Sequence, residues 1–234
     1  MKKVAIIQSN YIPWKGYFDI INMVDIFVLH DDLKLTKQDW RNRNKIKVPF
    51  GDKTIWLTIP IKGKNKYNRM IMEAEAADNL WRKKHWLYIS QYYSKAPFFM
   101  TYKKAFEELY LNCSENKLSM INYRFIKLIN DILGIKTEIL WSHQLKVKGH
   151  KSDKVLNLCK ALNADVYLSG PAAKNYLKID DFEQNGIKVQ WMDYSGYPEY
   201  PQLYTPPFIH EVSIIDLIFN TGNDAYLYMK SFDK

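Results

Sequence analysis

The sequence predicts an α/β protein built on an open, mostly parallel sheet, with a helical block inserted between its halves and a helix at the C-terminal end. Three observations predict it. Short apolar runs rich in β-branched residues, such as Lys3-Val4-Ala5-Ile6-Ile7 and Ile26-Phe27-Val28-Leu29, have the unalternating pattern of strands buried on both faces. Between them lie a polar stretch and then apolar residues three and four apart, the spacing of a helix that buries one side. The same β-α-β order recurs from Thr137 to Trp191, which implies parallel strands joined by right-handed crossovers.

The first unit carries the densest signal. After the strand come Gln8-Ser9-Asn10-Tyr11-Ile12-Pro13-Trp14-Lys15-Gly16, and then a helix through Tyr17-Phe18-Asp19-Ile20-Ile21-Asn22-Met23-Val24. The second strand follows and stops at His30-Asp31-Asp32. The loop therefore lies at the carboxyl end of the first strand, where open α/β sheets bind their ligands. Its amides can fix a ligand and its rings can cover one.

The next stretch packs Trp40-Arg41-Asn42-Arg43-Asn44 together. Arginine forks and amides bind phosphate, carboxylate or ribose oxygens, and Trp40 can stack on a planar ring. The other reading is a surface loop pinned by pairs from Arg41 and Arg43 to Asp31 and Asp32. Lys53 to Ile61 alternates as a strand, after a turn at Pro49-Phe50-Gly51-Asp52. Lys62-Gly63-Lys64-Asn65-Lys66 reads either as a hairpin end or as a basic lid.

From about 78 to 134 the pattern is helical. Asp78 suits an N-cap for a helix beginning at Leu80. Ala96-Pro97 breaks the pattern, and further helices run from Tyr102 to Leu111 and from Ser119 to Leu133, closed by Gly134. Trp81, Tyr88 and Tyr92 at helical spacing read as core rather than ligand contacts; His85 is the one helical residue with a functional reading, set beside the favoured one of a satisfied structural histidine. Strands then recur, ending at Ser142-His143, Ser169-Gly170 and Asp193-Tyr194. With the first strand central, these polar ends face the Gln8 loop and Asp31-Asp32. A proline- and tyrosine-rich coil from Tyr197 to Phe208 wraps the body before a last helix at Val212 to Asn220.

At 234 residues, 47% hydrophobic and 25% charged, the chain reads as one globular domain over 1–234 with the helices as an insertion. No apolar run approaches the roughly 20 residues that span a bilayer. The opening residues lead straight into a strand, too short for a signal-peptide core. A cytoplasmic protein with Cys113 and Cys159 reduced is the expectation. The net charge of +9 attracts phosphates. Its lysines are spread along the chain where a nucleic-acid groove concentrates them, so nucleic acid is not expected as a partner. The sequence holds no phosphate-binding G-x-x-x-x-G-K-[ST] or dinucleotide G-x-G-x-x-G string. The five scattered histidines predict no metal site.

Several uncommon strings together resemble the WbqC-like protein family. They are Gln8 through Tyr17, Asp31-Asp32, Trp40 through Asn44, Lys95-Ala96-Pro97-Phe98, Tyr167-Leu168-Ser169-Gly170 with Tyr176-Leu177, Tyr200-Pro201-Gln202, and Ile215 through Asn220. The resemblance covers nearly the whole chain. It implies a place in O-antigen or other surface-polysaccharide (lipopolysaccharide) biosynthesis, at a cytoplasmic step on a nucleotide-activated amino sugar that carries an acyl or aminoacyl group. The fold pattern also looks like the Rossmann-like nucleotidyltransferase and pantothenate-synthetase class, in which an H-x-G-H string binds ATP phosphates. Here the string in register is Trp14-Lys15-Gly16-Tyr17, with the glycine kept and both histidines absent, although Lys15 can supply a charge.

Amide formation on a sugar amine needs an activated acyl group, a base and donors for the oxyanion. Asp31 and Asp32 are the candidate bases, because one carboxylate can raise the pKa of its neighbour, and His143 is the fallback. Arg41 and Arg43 can hold a pyrophosphate, Gln8 and Asn10 can orient the acceptor, and Ser169-Gly170 can offer backbone N–H groups. Trp14, Lys15, Gly16, Tyr17, Trp40, Asn42 and Tyr176 complete the candidate binding set. A buried ion pair to arginine is the equal alternative for the aspartates. ATP, Mg²⁺ or an acyl carrier are the cofactors such chemistry draws on, with a nucleotide-linked amino sugar and an acyl or aminoacyl donor as partners and a homodimer open to it. Mg²⁺ held by Asp31-Asp32 through a diphosphate makes a sugar nucleotidyltransferase or glycosyltransferase the nearest competitor. A tRNA- or RNA-binding factor is the competitor of another class.

Overall fold

A computed structural model describes residues 1–49 and 51–232, so Phe50 of the predicted turn lies outside the described residues. Its centre is a sheet of five strands, β1 (Lys3–Ile7), β2 (Ile26–Leu29), β5 (Glu138–Trp141), β6 (Val166–Ser169) and β7 (Lys188–Trp191). Their order is β5-β2-β1-β6-β7, and every pairing is parallel. The first strand is central, as its apolar sequence predicts. The chain leaves β1 toward β2 and β5 and then crosses back to β6 and β7, so the reversal of direction falls beside β1. All five carboxyl ends form one rim.

Alternation along the strands divides the core in two. Ala5, Phe27 and Leu29 join one cluster with α1 (Lys15–Asn22), the helical block α2 (Leu80–Tyr93), α3 (Phe99–Leu111) and α4 (Leu118–Leu133), and α7 (Ile214–Thr221). Val4, Ile6, Ile26 and Val28 join the other with α5 (Lys151–Ala161) and α6 (Ile179–Gln184). Helices thus cover both faces of the sheet, as parallel strands require. The predicted helices are found within a few residues. The Asp78 side chain does accept from the Leu80 N–H at 2.8 Å, and Gly134 closes α4 at φ 73°. The second helix of the block begins earlier than its spacing predicts, at Phe99.

One element was not predicted. The arginine-rich stretch is itself a strand, β3 (Arg43–Lys47), paired antiparallel with β4 (Thr54–Thr58) in a separate two-stranded sheet. Its buried residues include Asn44 and Lys47, which hid the pattern. Asn44 donates to the carbonyls of Tyr11 (3.2 Å) and Ile12 (2.8 Å). Lys47 donates to Gln202 Oε1 (2.9 Å) and to the Pro207 carbonyl (2.5 Å), fastening the C-terminal coil.

Candidate functional site

The loop after β1 is shaped by its neighbours rather than by its own propensity. Ile12 adopts φ 38°, a conformation that a β-branched residue rarely takes. It is held there by the Asn44 amide, by the Tyr11 N–H donating to the Trp40 carbonyl (3.0 Å), and by the Ile214 N–H donating to the Pro13 carbonyl (2.9 Å). Strain held in place by three elements at the end of a central strand is the kind that collects at functional sites. Tyr11 is buried, its hydroxyl between Tyr110 (2.7 Å) and His85 Nδ1 (2.9 Å). His85 is therefore structural, and burial pushes its pKa down to about 3.

Trp14 precedes α1 and packs against Gly16, where a Cβ would stand 2.4 Å from the indole. Gly16 is thus required by the ring that covers it. Trp14 also meets Tyr194 and Tyr197 edge-on, at 5.2 and 5.5 Å. Together with Trp40 these rings wall a cleft of about 580 Å³ between the sheet rim, the β3–β4 hairpin and the C-terminal coil. Its polar lining is Asn10, Asn44, His210 and Glu211. The last two were not singled out from sequence, because they lie in coil with no periodicity to mark them. Glu211 reaches across to Lys45 of the hairpin at 3.4 Å.

Arg41 does not line this cleft but joins it through Asn10. Its guanidinium donates to Asn10 Oδ1 and to Gln8 Oε1 (3.1 Å), with Asp39 3.8 Å from its Nε. Tyr17 is buried beside it and donates to the Gln8 carbonyl at 3.0 Å. Gln8, Asn10, Trp14, Gly16, Tyr17, Trp40 and Arg41 are therefore brought together as the sequence suggests. Gly170 borders the same region, with the Tyr194 hydroxyl 3.6 Å from the position of its missing Cβ.

Other candidates face elsewhere. Asn42 donates to the Ile59 carbonyl (2.8 Å), and Arg43 lies over the Trp56 ring (4.0 Å). Lys15 turns under the C-terminal coil, donating to the Pro198 carbonyl (3.1 Å) among Tyr197, Tyr200 and Phe208; burial lowers its pKa to about 8. Ser169 donates to the Tyr167 hydroxyl (3.1 Å) on the α5–α6 face, while Tyr176 and His143 are exposed.

The adjacent aspartates diverge. Asp31 is fully buried toward the helical block, accepting from the Ser9 N–H (2.7 Å) and the Ser119 hydroxyl. Burial raises its pKa, partly offset by those hydrogen bonds. Asp32 turns toward α5, accepting from Ser142 and Lys154, with His30 Nε2 3.6 Å away. Burial would raise Asp32, but Lys154 and Ser142 outweigh it and hold the carboxyl below its usual range. Among the described residues, neither aspartate takes an arginine as its hydrogen-bond partner. The two carboxylates do not converge, so a Mg²⁺ shared between them does not fit this geometry.

The model of the WbqC-like protein family matches residues 8–228. The chain belongs to the WbqC-like protein family. It is also 40% identical over 230 residues to a protein of Mycobacterium tuberculosis (strain ATCC 25618 / H37Rv) named "Uncharacterized protein Rv1507c", covering 98% of each chain. No solved structure matches it. The family match begins at Gln8 and takes in every residue that builds the cleft of this WbqC-like protein. Among the described residues no helix is long and apolar enough to cross a membrane.

Proposed function

We propose that the cleft binds a nucleotide-activated amino sugar and that the protein is a cytoplasmic enzyme of O-antigen or other surface-polysaccharide biosynthesis, forming an amide on the sugar amine. The observation that carries the reading is the position of Arg41. Its guanidinium is fixed by two amide side chains at the carboxyl end of the central strand, and one of them, Asn10, lines a cleft walled by four aromatic rings. A planar, permanently charged fork suits a diphosphate, and aromatic walls suit the apolar face of a sugar or a base.

The sugar ammonium must lose a proton before it attacks an acyl carbonyl, after which the donor's leaving group departs. His210 and Glu211 line the cleft, so they are the bases this reading favours; Asp31, Asp32 and His143 lie outside its lining. An acyl carrier, or ATP with a free acid, would supply the activated carbonyl.

A thermal-shift screen tests the reading. Nucleotide amino sugars should raise the melting temperature of the wild type, since a ligand that binds only the native state stabilises it. The same compounds should leave the melting temperature of Arg41→Ala unshifted from its own, modestly lower, ligand-free value. No shift with any nucleotide sugar, or an equal shift in both proteins, overturns it.

A further inference from the structure

We propose that the outer face of the β3–β4 hairpin is a platform on which a nucleobase stacks, formed by Trp40 and Trp56 with Arg43 and Lys45 beside them. The inference deepens the reading above and rests on it for the remainder of the ligand, because Trp40 also walls the cleft.

Alternation sorts the hairpin into two faces. Asn44, Ile46 and Leu57 are buried, whereas Arg43, Lys45 and Trp56 face outward, and Lys45 pairs with Trp56 across the strands. Trp40, from the segment before β3, joins them with its ring 5.4 Å from Trp56 at 41°. The two indoles are 41% and 42% exposed, so much of each ring meets water. The Arg43 guanidinium covers one side of Trp56 at 4.0 Å, and its Nη2 donates to the Gln38 carbonyl (2.6 Å). Lys45 Nζ stands 5.9 and 5.6 Å from the two ring centres. Adjacent exposed rings with cations fixed beside them are the combination by which proteins hold a base and its phosphate without reading base identity.

The position also accounts for the length of a nucleotide sugar. The next residue after Trp40 is Arg41, which reaches Asn10 in the cleft lining. A base on the platform would leave its phosphates beside Lys45 and Arg41 and its sugar among Trp14 and Tyr197.

Tryptophan fluorescence tests this with nucleoside monophosphates, glucosamine 1-phosphate and a short single-stranded oligoribonucleotide. The expected result is quenching by the monophosphates, weakened about ten-fold in Trp56→Leu and largely restored in Trp56→Phe, as loss and return of one stacking ring require. Binding of the base-free sugar phosphate should be unchanged in both variants, which also shows that they fold. Undiminished nucleotide binding by Trp56→Leu overturns the platform and leaves the cleft reading standing. So does failure of both the monophosphates and the oligonucleotide to bind. Loss of sugar phosphate binding from the wild type, with monophosphate quenching retained, supports the platform and counts against the cleft. An oligonucleotide bound far more tightly than a monophosphate, with steep salt dependence, assigns the base to a nucleic acid; equal affinities assign it to a free nucleotide.

Discussion

The Arg41 guanidinium donates to the Asn10 side chain, and a residue outside the parallel sheet thereby lies across the end of its central strand. Side chains from the loop after β1 and from the lead to the hairpin share one polar cluster.

Arg41→Ala should therefore cost stability modestly, on the order of 1–3 kcal/mol for the unpaired Gln8 and Asn10 groups. Nucleotide-sugar affinity should fall at least about ten-fold, the scale of a lost charge-assisted bond. Arg41→Lys should rescue stability more than affinity, because an ammonium keeps the charge but not the fork. Urea melts and calorimetric titration measure the two effects separately.

Gly16→Ala places a Cβ against the Trp14 indole. Overpacking of this kind costs about 1–3 kcal/mol. The double variant with Trp14→Ala should show strong positive coupling, because the clash disappears with the ring. Additive losses in denaturant melts would show that the ring moves away freely.

Asp216 lies fully buried in α7 and accepts from Tyr93 (2.7 Å), Tyr200 (2.6 Å) and Gln202 (2.9 Å). The same Gln202 accepts from Lys47. Removing the carboxylate strands several buried donors, and Asp216→Ala should cost about 3–5 kcal/mol. Because this network fastens the coil that carries His210 and Glu211, proteolysis should cut that coil first in the variant. Unchanged cleavage sites would separate the network from the cleft wall.

Burial depresses the pKa of His30 to about 4 and of His85 to about 3, against 6.5 for a free histidine. The unfolded chain binds these protons first, so each contribution to stability is full above about pH 6.5 and is lost as pH falls toward the folded value. The slope is about 1.4 kcal/mol per pH unit for each histidine. Asp31 and Asp216, whose carboxyls burial raises, act in the opposite sense. The stability difference between wild type and His85→Gln should therefore shrink between pH 7 and pH 4. Parallel pH profiles in thermal melts would contradict the assignment.

The parallel strands were legible because residues buried on both faces leave plain apolar runs, and the order around β1 followed from the connections. The hairpin was not legible. Its strand β3 buries Asn44 and Lys47, and the partners that make this tolerable lie 32 and 155 residues away at Ile12 and Gln202. Asp31 and Asp32 carried a signal that adjacency obscured. Neighbours in an extended segment point to opposite faces, so two carboxylates in sequence are poor candidates for one site. Trp56 was legible as a strand residue only; its contact with Trp40 depends on a pairing that local pattern does not contain.

A crystal structure with a bound nucleotide amino sugar shows whether the aromatic-walled cleft holds the ligand. Density is expected for the diphosphate against the Arg41 guanidinium and for the sugar between Trp14 and Tyr197. Density for the same ligand elsewhere on the molecule, with the aromatic-walled cleft left to solvent, would contradict that placement.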